Sequence, residues 1–343
     1  MPAVVISVPI EANCQAPRWS GDGTQLVYET NDHVKKNVDL YVYSPSSRSS
    51  RRVVIPGSSS GSSSVTAGFS TSGSERVAHE ASFAPGQNRF VYSASGSTGD
   101  YDLYLDTGTR LASAAGADGN PAWSPDGRHI AFTSARTGQG DLYLLDAATL
   151  DSAPLKLTGD PTASEVYAAW SPDSSSVVFV GHTPKGDNLY LLDNLQFPAP
   201  RALTAWPHVQ TRPTFSPDGK HIAFYSDHVT PDRFDLYVMS PGGTPTLVAS
   251  DVVMNARGPT WTPDGQAIVY VQHDPDHFDP VREAPWADPT KVTTLNTGTV
   301  GNGDLDVVRK TDGSLWLAVA AQGLAGVANQ QRDYMKVYVI ALP

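Results

Sequence analysis

The 343-residue chain carries 35 acidic against 24 basic side chains, a net charge of −11. A surface of that sign repels phosphate backbones, which argues against nucleic acid as a partner. Seven tryptophans and 40% hydrophobic residues suffice for a core, and one cysteine excludes an internal disulfide. No apolar run approaches the ~20 residues that would cross a bilayer, so no membrane insertion is expected.

The first element is Ala3–Val8, a valine-rich run that reads as a strand with no preceding partner. No basic segment precedes it, so it fits a strand better than a secretion signal. The protein is expected in the cytoplasm if Met1 is the native start, and in the periplasm or outside the cell if a leader has been removed.

From Trp19 onward one phrase recurs. WSGDG at Trp19–Gly23 is echoed by FAPGQ at Phe83–Gln87, WSPDG at Trp123–Gly127 and WSPDS at Trp170–Ser174. FSPDG at Phe215–Gly219, WTPDG at Trp261–Gly265 and a worn KTDG at Lys310–Gly313 complete the series. Each of the first five copies is followed 20 to 22 residues later by the tyrosine of a DLY-like phrase: Tyr41, Tyr104, Tyr143, Tyr190 and Tyr237. Self-similarity at this spacing is the signature of a radial or linear repeat fold.

The unit Pro121–Thr158 shows what one copy builds. Pro121-Ala122-Trp123 is a short apolar strand, and Ser124-Pro125-Asp126-Gly127 is a tight turn: proline presets φ, and glycine accepts the positive φ that returns the chain. His129–Thr133 and Leu142–Leu145 supply second and third strands, and Leu155–Thr158 a fourth. Four antiparallel strands per unit, without helical periodicity, predict a propeller blade. The anchors count seven blades, or six if the second or seventh copy is an irregular insertion. In the last unit Ser314–Ala320 and Lys336–Leu342 give second and third strands, and the N-terminal strand is expected to complete that blade and close the ring. The expected architecture is all-β, a seven-bladed propeller occupying residues 1–343 as one domain.

Several stretches depart from the unit. Ser44–Arg76, with its serine tract and the cluster Arg48, Arg51 and Arg52, reads as a mobile surface loop, or alternatively as a docking or modification site. Gly57–Gly61 formally matches G-x-S-x-G but lacks the flanking strand and helix that a nucleophile elbow needs. His273–Asp279 collects oxygen and imidazole ligands that would suit calcium. It nonetheless has Asp279 and Pro285 where an EF-hand requires glycine and glutamate. The simpler expectation is an acidic inter-strand loop and no cofactor. Pro280, where earlier blades have the leucine of DLY, should disturb the strand.

The WSPDG and DLY phrases together resemble the TolB-type β-propeller repeat of bacterial periplasmic propellers. The same unit occurs in the propellers of prolyl-oligopeptidase-like enzymes and oligogalacturonate-lyase-like proteins. The resemblance spans nearly the whole chain and implies the fold. It also implies bacterial origin and an envelope-associated assembly. It does not choose between scaffold, peptidase gate and lyase.

In a propeller the innermost strands converge on the channel mouth, the default binding site. The innermost strand should be the one ending at the aromatic anchor. Just upstream of successive anchors lie Gln15, His79 with Glu80, Asn120, Tyr167, Arg212, Arg257 and Asp306. These types differ from blade to blade while the framework repeats. Arg212 and Arg257 could grip a carboxylate bidentately, or they could form structural bridges to Glu80 or Asp306. The sequence therefore favours a non-catalytic, monomeric scaffold that receives a protein or peptide through these residues. The alternative is an oligouronate-type lyase or other carbohydrate-active enzyme, with His79 or His208 as base and the arginines neutralising a uronate.

Overall fold

The computed structural model describes residues 4–6, 12–32, 37–54, 78–95, 100–112, 114–276, 278–325 and 334–342. Their strands form seven separate antiparallel sheets, and no helix occurs among the described residues. Counted from the N-terminus, blades 1 to 5 begin with the inner strands Asn13–Trp19, Ala78–Phe83, Asp118–Trp123, Ser164–Trp170 and Gln210–Phe215. Each ends at its aromatic anchor, as the sequence predicts. In blade 6 the inner strand is broken into Val252–Val253 and Thr260–Trp261, and both parts pair with Ala267–Gln272. Blade 7 starts with Thr299–Arg309.

The repeated turn holds itself together. In WSPDG the serine hydroxyl donates to the aspartate at 2.6 Å (Ser124 to Asp126), and that carboxylate accepts the Arg128 N–H at 3.0 Å. The same serine accepts the His129 N–H at 2.9 Å. The three contacts recur around Ser20, Ser171, Ser216 and, with threonine in place of serine, Thr262. Two side chains thereby satisfy the backbone donors that a tight turn leaves open.

The DLY tyrosine has an equally specific job. Tyr41, Tyr104, Tyr190 and Tyr237 stack on the second-strand aromatics Tyr28, Tyr92, Phe179 and Phe224, with centroids 5.6 to 5.8 Å apart. Tyr143 lies 5.9 Å from Phe132 in the same way. Each pair stands directly across the ladder, as at Phe132↔Tyr143.

The core lies between blades. One apolar cluster joins Val27 and Leu40 of blade 1 to Phe90 and Tyr92 of blade 2; another joins Leu103 of blade 2 to Ile130 and Phe132 of blade 3. The series continues around to Trp19, Leu26 and Tyr28 of blade 1 against Val308, Ala318 and Val339 of blade 7. The ring is therefore closed. Val4–Val5 pairs with Lys336–Leu342 through Val4↔Val339 and Val5↔Tyr338, so the N-terminal segment supplies the outer strand of blade 7. Ile6 continues the contact by donating its N–H to Val337, and its side chain is buried beside Trp19. Ala3, Ser7 and Val8 lie outside the described residues.

Three features refine the sequence reading. Ser49–Arg52, read as part of a loop, forms the outer strand of blade 1, pairing Tyr41↔Arg52 and Ser44↔Ser49. Residues 55–76, including the G-x-S-x-G match, lie outside the described residues. Pro280 stands immediately before the third strand of blade 6, Val281–Pro285, so its missing N–H falls outside the strand, and its carbonyl accepts the Gln272 N–H at 3.0 Å.

Candidate binding site at the channel mouth

Every inner strand of blades 1 to 5 carries a bulge in its pairing with the second strand. At the bulge stands a residue with left-handed backbone: Ala16, Glu80, Asn120, Tyr167 and Arg212, with φ between 48° and 60°. None is glycine. Such conformations persist where the surroundings over-determine them, and here the surroundings are the neighbouring blades.

Four of these bulged N–H groups, those of Ala16, Glu80, Asn120 and Tyr167, are taken up by side chains of adjacent blades. Glu29 of blade 1 accepts from Glu80 N–H at 3.0 Å, and Glu80 from Asn120 N–H at 2.7 Å. Asn120 accepts from Tyr167 N–H at 3.2 Å. Asp304 of blade 7 accepts from Ala16 N–H at 2.8 Å on one side and Ala256 N–H at 2.6 Å on the other. A relay of side chain to backbone thus runs from blade 6 through blades 7 and 1 to blade 4.

Within this relay one cavity of about 230 Å³ opens, lined by Gln15, Ala16, Glu29, Val38, His79, Glu80, Arg212, Ala256 and Arg257. These residues belong to blades 1, 2, 5 and 6. Blades 2 and 5 are not neighbours in the ring, so a cavity touching both lies on the central axis.

Its charged groups differ in what they already hold. Glu29 accepts from Arg257 at 3.1 Å and from Gln15 at 3.2 Å, besides the Glu80 backbone. Glu80 accepts twice from Asn120, at 2.6 and 2.7 Å, once from Ser93 at 3.4 Å, and lies 3.3 Å from His79 Nδ1. Burial pushes the Glu80 carboxyl up, but His79 and Asn120 together outweigh it and hold the pKa at about 2. Burial pulls the His79 imidazole down, and the bond and charge of Glu80 overcompensate, leaving it above its ordinary value. Both acids are therefore well supplied with donors.

The two arginines are not equivalent. Arg257 pairs with Glu29, with 14% and 7% of the respective side chains exposed, and burial lowers its pKa. Its Nε is buried without a hydrogen-bond partner. It lies in the turn that breaks the inner strand of blade 6, where the Gly258 N–H donates to Asn255. Gly258 has φ 95°, and a Cβ there would lie 2.7 Å from the Arg212 carbonyl oxygen, so glycine lets this turn press against blade 5. Arg212 stacks on Tyr167, its guanidinium carbon 3.7 Å from the ring centroid. No carboxylate pairs with it among the described residues.

Five of the eight residues singled out from sequence therefore meet in one cavity: Gln15, His79, Glu80, Arg212 and Arg257. Asn120 and Tyr167 stand behind the lining, clamping Glu80 and supporting Arg212. Asp306 is placed elsewhere: its buried carboxylate accepts the Trp19 N–H at 2.8 Å and faces Arg18 at 3.9 Å, fastening blade 7 to blade 1. His208 does not line the cavity either; its carbonyl accepts the Asp187 N–H. Sequence reasoning missed Glu29 and Asp304. Glu29 carried a usable signal, since its second-strand position holds Ser93, Thr133, Val180, Tyr225 and Val271 in the next five blades.

In the Asp274–Asp279 loop the carboxylates cap their own backbone, Asp279 accepting from Asp274 N–H at 3.0 Å and Asp274 from Asp276 N–H at 2.9 Å. His277 lies outside the described residues. Among the described residues, no three His, Cys, Asp or Glu side chains form a group suited to a metal ion.

Fold and site define a seven-bladed β-propeller with a polar axial cavity. Comparison places its repeats: the family model of the TolB beta propeller domain matches residues 150–300. Over those residues the chain is similar to the TolB-type propeller repeat. TolB from Acinetobacter baumannii superimposes with a TM-score of 0.52 at 18% identity, covering 83% of this chain and 63% of that one. A structure from a study of two prolyl endopeptidases superimposes with a TM-score of 0.57 at 12% identity, covering 96% of this chain and 50% of that one. At these identities the likeness is one of fold. The uncharacterized peptidase YuxL of Bacillus subtilis (strain 168) is 37% identical over 67 residues, which span 19% of this chain and only 10% of that protein.

Proposed function

We propose that this propeller is a non-catalytic scaffold that receives a segment of a protein or peptide partner in its axial cavity. The observation that carries the reading is Arg212, a guanidinium whose carbon lies 3.7 Å over the Tyr167 ring, lining the cavity without a carboxylate partner among the described residues. Leaving an arginine unpaired forgoes the stabilisation that Arg257 obtains from Glu29, and a bound ligand would supply the missing acceptor. The acidic surface supports the expectation that nucleic acid is not the partner. The named relatives come from Acinetobacter and Bacillus, which supports a bacterial origin.

No observation favours the lyase alternative. His79 is hydrogen-bonded to Glu80 and packed edge-on against Tyr101 at 5.2 Å, so it is committed to its neighbours rather than poised as a free base. The peptidase name belongs to a relative matched over a tenth of its length, and its chemistry is not carried over.

The test is selection from a displayed random-peptide library, followed by affinity measurement on wild type and on Val38→Trp, which would fill the cavity from its wall. Peptides that bind wild type and lose at least tenfold affinity on Val38→Trp support the reading. Peptides that bind both proteins equally place recognition elsewhere and refute it.

A further inference from the structure

Glu29 and Glu80 have their oxygens occupied by the donors described above, whereas the five N–H groups of Arg212 have no acceptor among the described residues and Arg257 Nε is buried without one. What the cavity lacks is therefore an acceptor, not a donor. Tyr167 holds the Arg212 guanidinium carbon over its ring at 3.7 Å and provides no acceptor, so the guanidinium N–H groups stay available to the two oxygens of a carboxylate. The acids Glu29 and Glu80 line the site and Asp304 stands beside it, bonded to Ala16, so each further negative charge on a ligand adds repulsion. A singly charged group suits this balance better than a doubly charged phosphate. About 230 Å³ holds the end or one side chain of a peptide, not a folded surface.

We infer that the cavity recognises a single carboxylate presented by a peptide, gripped through the N–H groups of Arg212 with Arg257 Nε as second donor. This rests on the scaffold reading and adds its specificity. The carboxylate has two possible sources, a free C-terminus or an aspartate or glutamate side chain.

Four probes separate them in calorimetric or NMR titrations: acetyl-Ala-Ala-Ala as free acid, the same peptide as C-terminal amide, acetyl-Ala-Asp-Ala amide, and inorganic phosphate. The free acid is expected to bind at least tenfold more tightly than the neutral amide, and Arg212→Gln to remove that difference. Comparable binding of the aspartyl amide upholds the carboxylate and assigns it to a side chain; binding of the free acid alone assigns it to a C-terminus. Binding of the neutral amide as tightly as both acidic peptides would overturn the inference while leaving the scaffold reading standing. Phosphate binding more tightly than either acidic peptide, retention of the tenfold preference in Arg212→Gln, or binding of no probe would each overturn it. The acid-to-amide comparison uses wild-type protein alone, so it decides the question even if the variant folds poorly.

Discussion

Replacing Glu165 by glutamine should stabilise the protein in alkaline buffer and leave it unchanged in acid. Glu165 stands opposite Gly181 near the start of the blade 4 inner strand, is 3% exposed, and has one carboxylate oxygen without a hydrogen-bond partner. Burial pushes its pKa from 4.5 up to about 7, a bond from Thr158 partly offsets this, and the nearby charges of Asp141 and Asp160 add to the rise. Because the folded-state pKa is raised, the contribution of the protonated group is complete below about 4.5 and is lost as pH rises through about 7. At about 1.36 kcal/mol per unit, that window corresponds to roughly 3 kcal/mol, an upper figure because some water reaches a charged group. Glutamine keeps the shape, carries no charge, and offers donors towards the same acids. Urea unfolding at pH 8 should show Glu165→Gln more stable than wild type by roughly 2–3 kcal/mol, and at pH 4.5 the two should agree within about 0.5 kcal/mol. An offset of the same size at both pH values, or destabilisation at pH 8, would refute the reasoning.

Other expectations follow from the cavity and its surroundings. Arg257→Met should destabilise the fold by roughly 3 kcal/mol, because it strands the buried Glu29, whereas Arg212→Gln should cost under about 1 kcal/mol; equal losses in chemical denaturation would contradict the division of roles. His79, raised by Glu80, carries its charge at mildly acidic pH and loses it as pH climbs through its elevated pKa. Carboxylate affinity should therefore weaken as the pH rises through that elevated value, and a titration series showing constant or rising affinity would exclude a contribution from this imidazole. The Asp274–Asp279 loop caps its own turn, so calcium or EDTA should leave the melting temperature unchanged, and a shift of several degrees would reveal a bound ion.

Much of the fold was legible because its devices are local. Ser124, Asp126 and Gly127 bond within five residues of one another, so the motif and its cause lie on one stretch of chain. The DLY tyrosine needs only its cross-strand partner, which a fixed spacing guarantees. The site was less legible because its partners come from different blades. Glu29 and Arg257 are 228 residues apart in sequence, and no spacing rule joins them. Asp306 has a suitable residue type at a suitable distance from the anchor. The bulge turns Asp304 towards the relay, whereas Asp306 is bonded to Trp19 and Arg18 at the seam with blade 1. The outer strand Ser49–Arg52 was hidden by composition: four polar residues take strand form because the neighbouring strand Asn37–Ser44 offers its edge and Asp39 binds Arg52 at 2.6 Å.

The most direct measurement is a crystal structure of the protein with acetyl-Ala-Ala-Ala bound as free acid. The account requires the terminal carboxylate in the plane of the Arg212 guanidinium, within about 3 Å of its nitrogens, with Tyr167 still stacked beneath. Density for the peptide outside the axial cavity, or with its carboxylate turned away from Arg212, would contradict it.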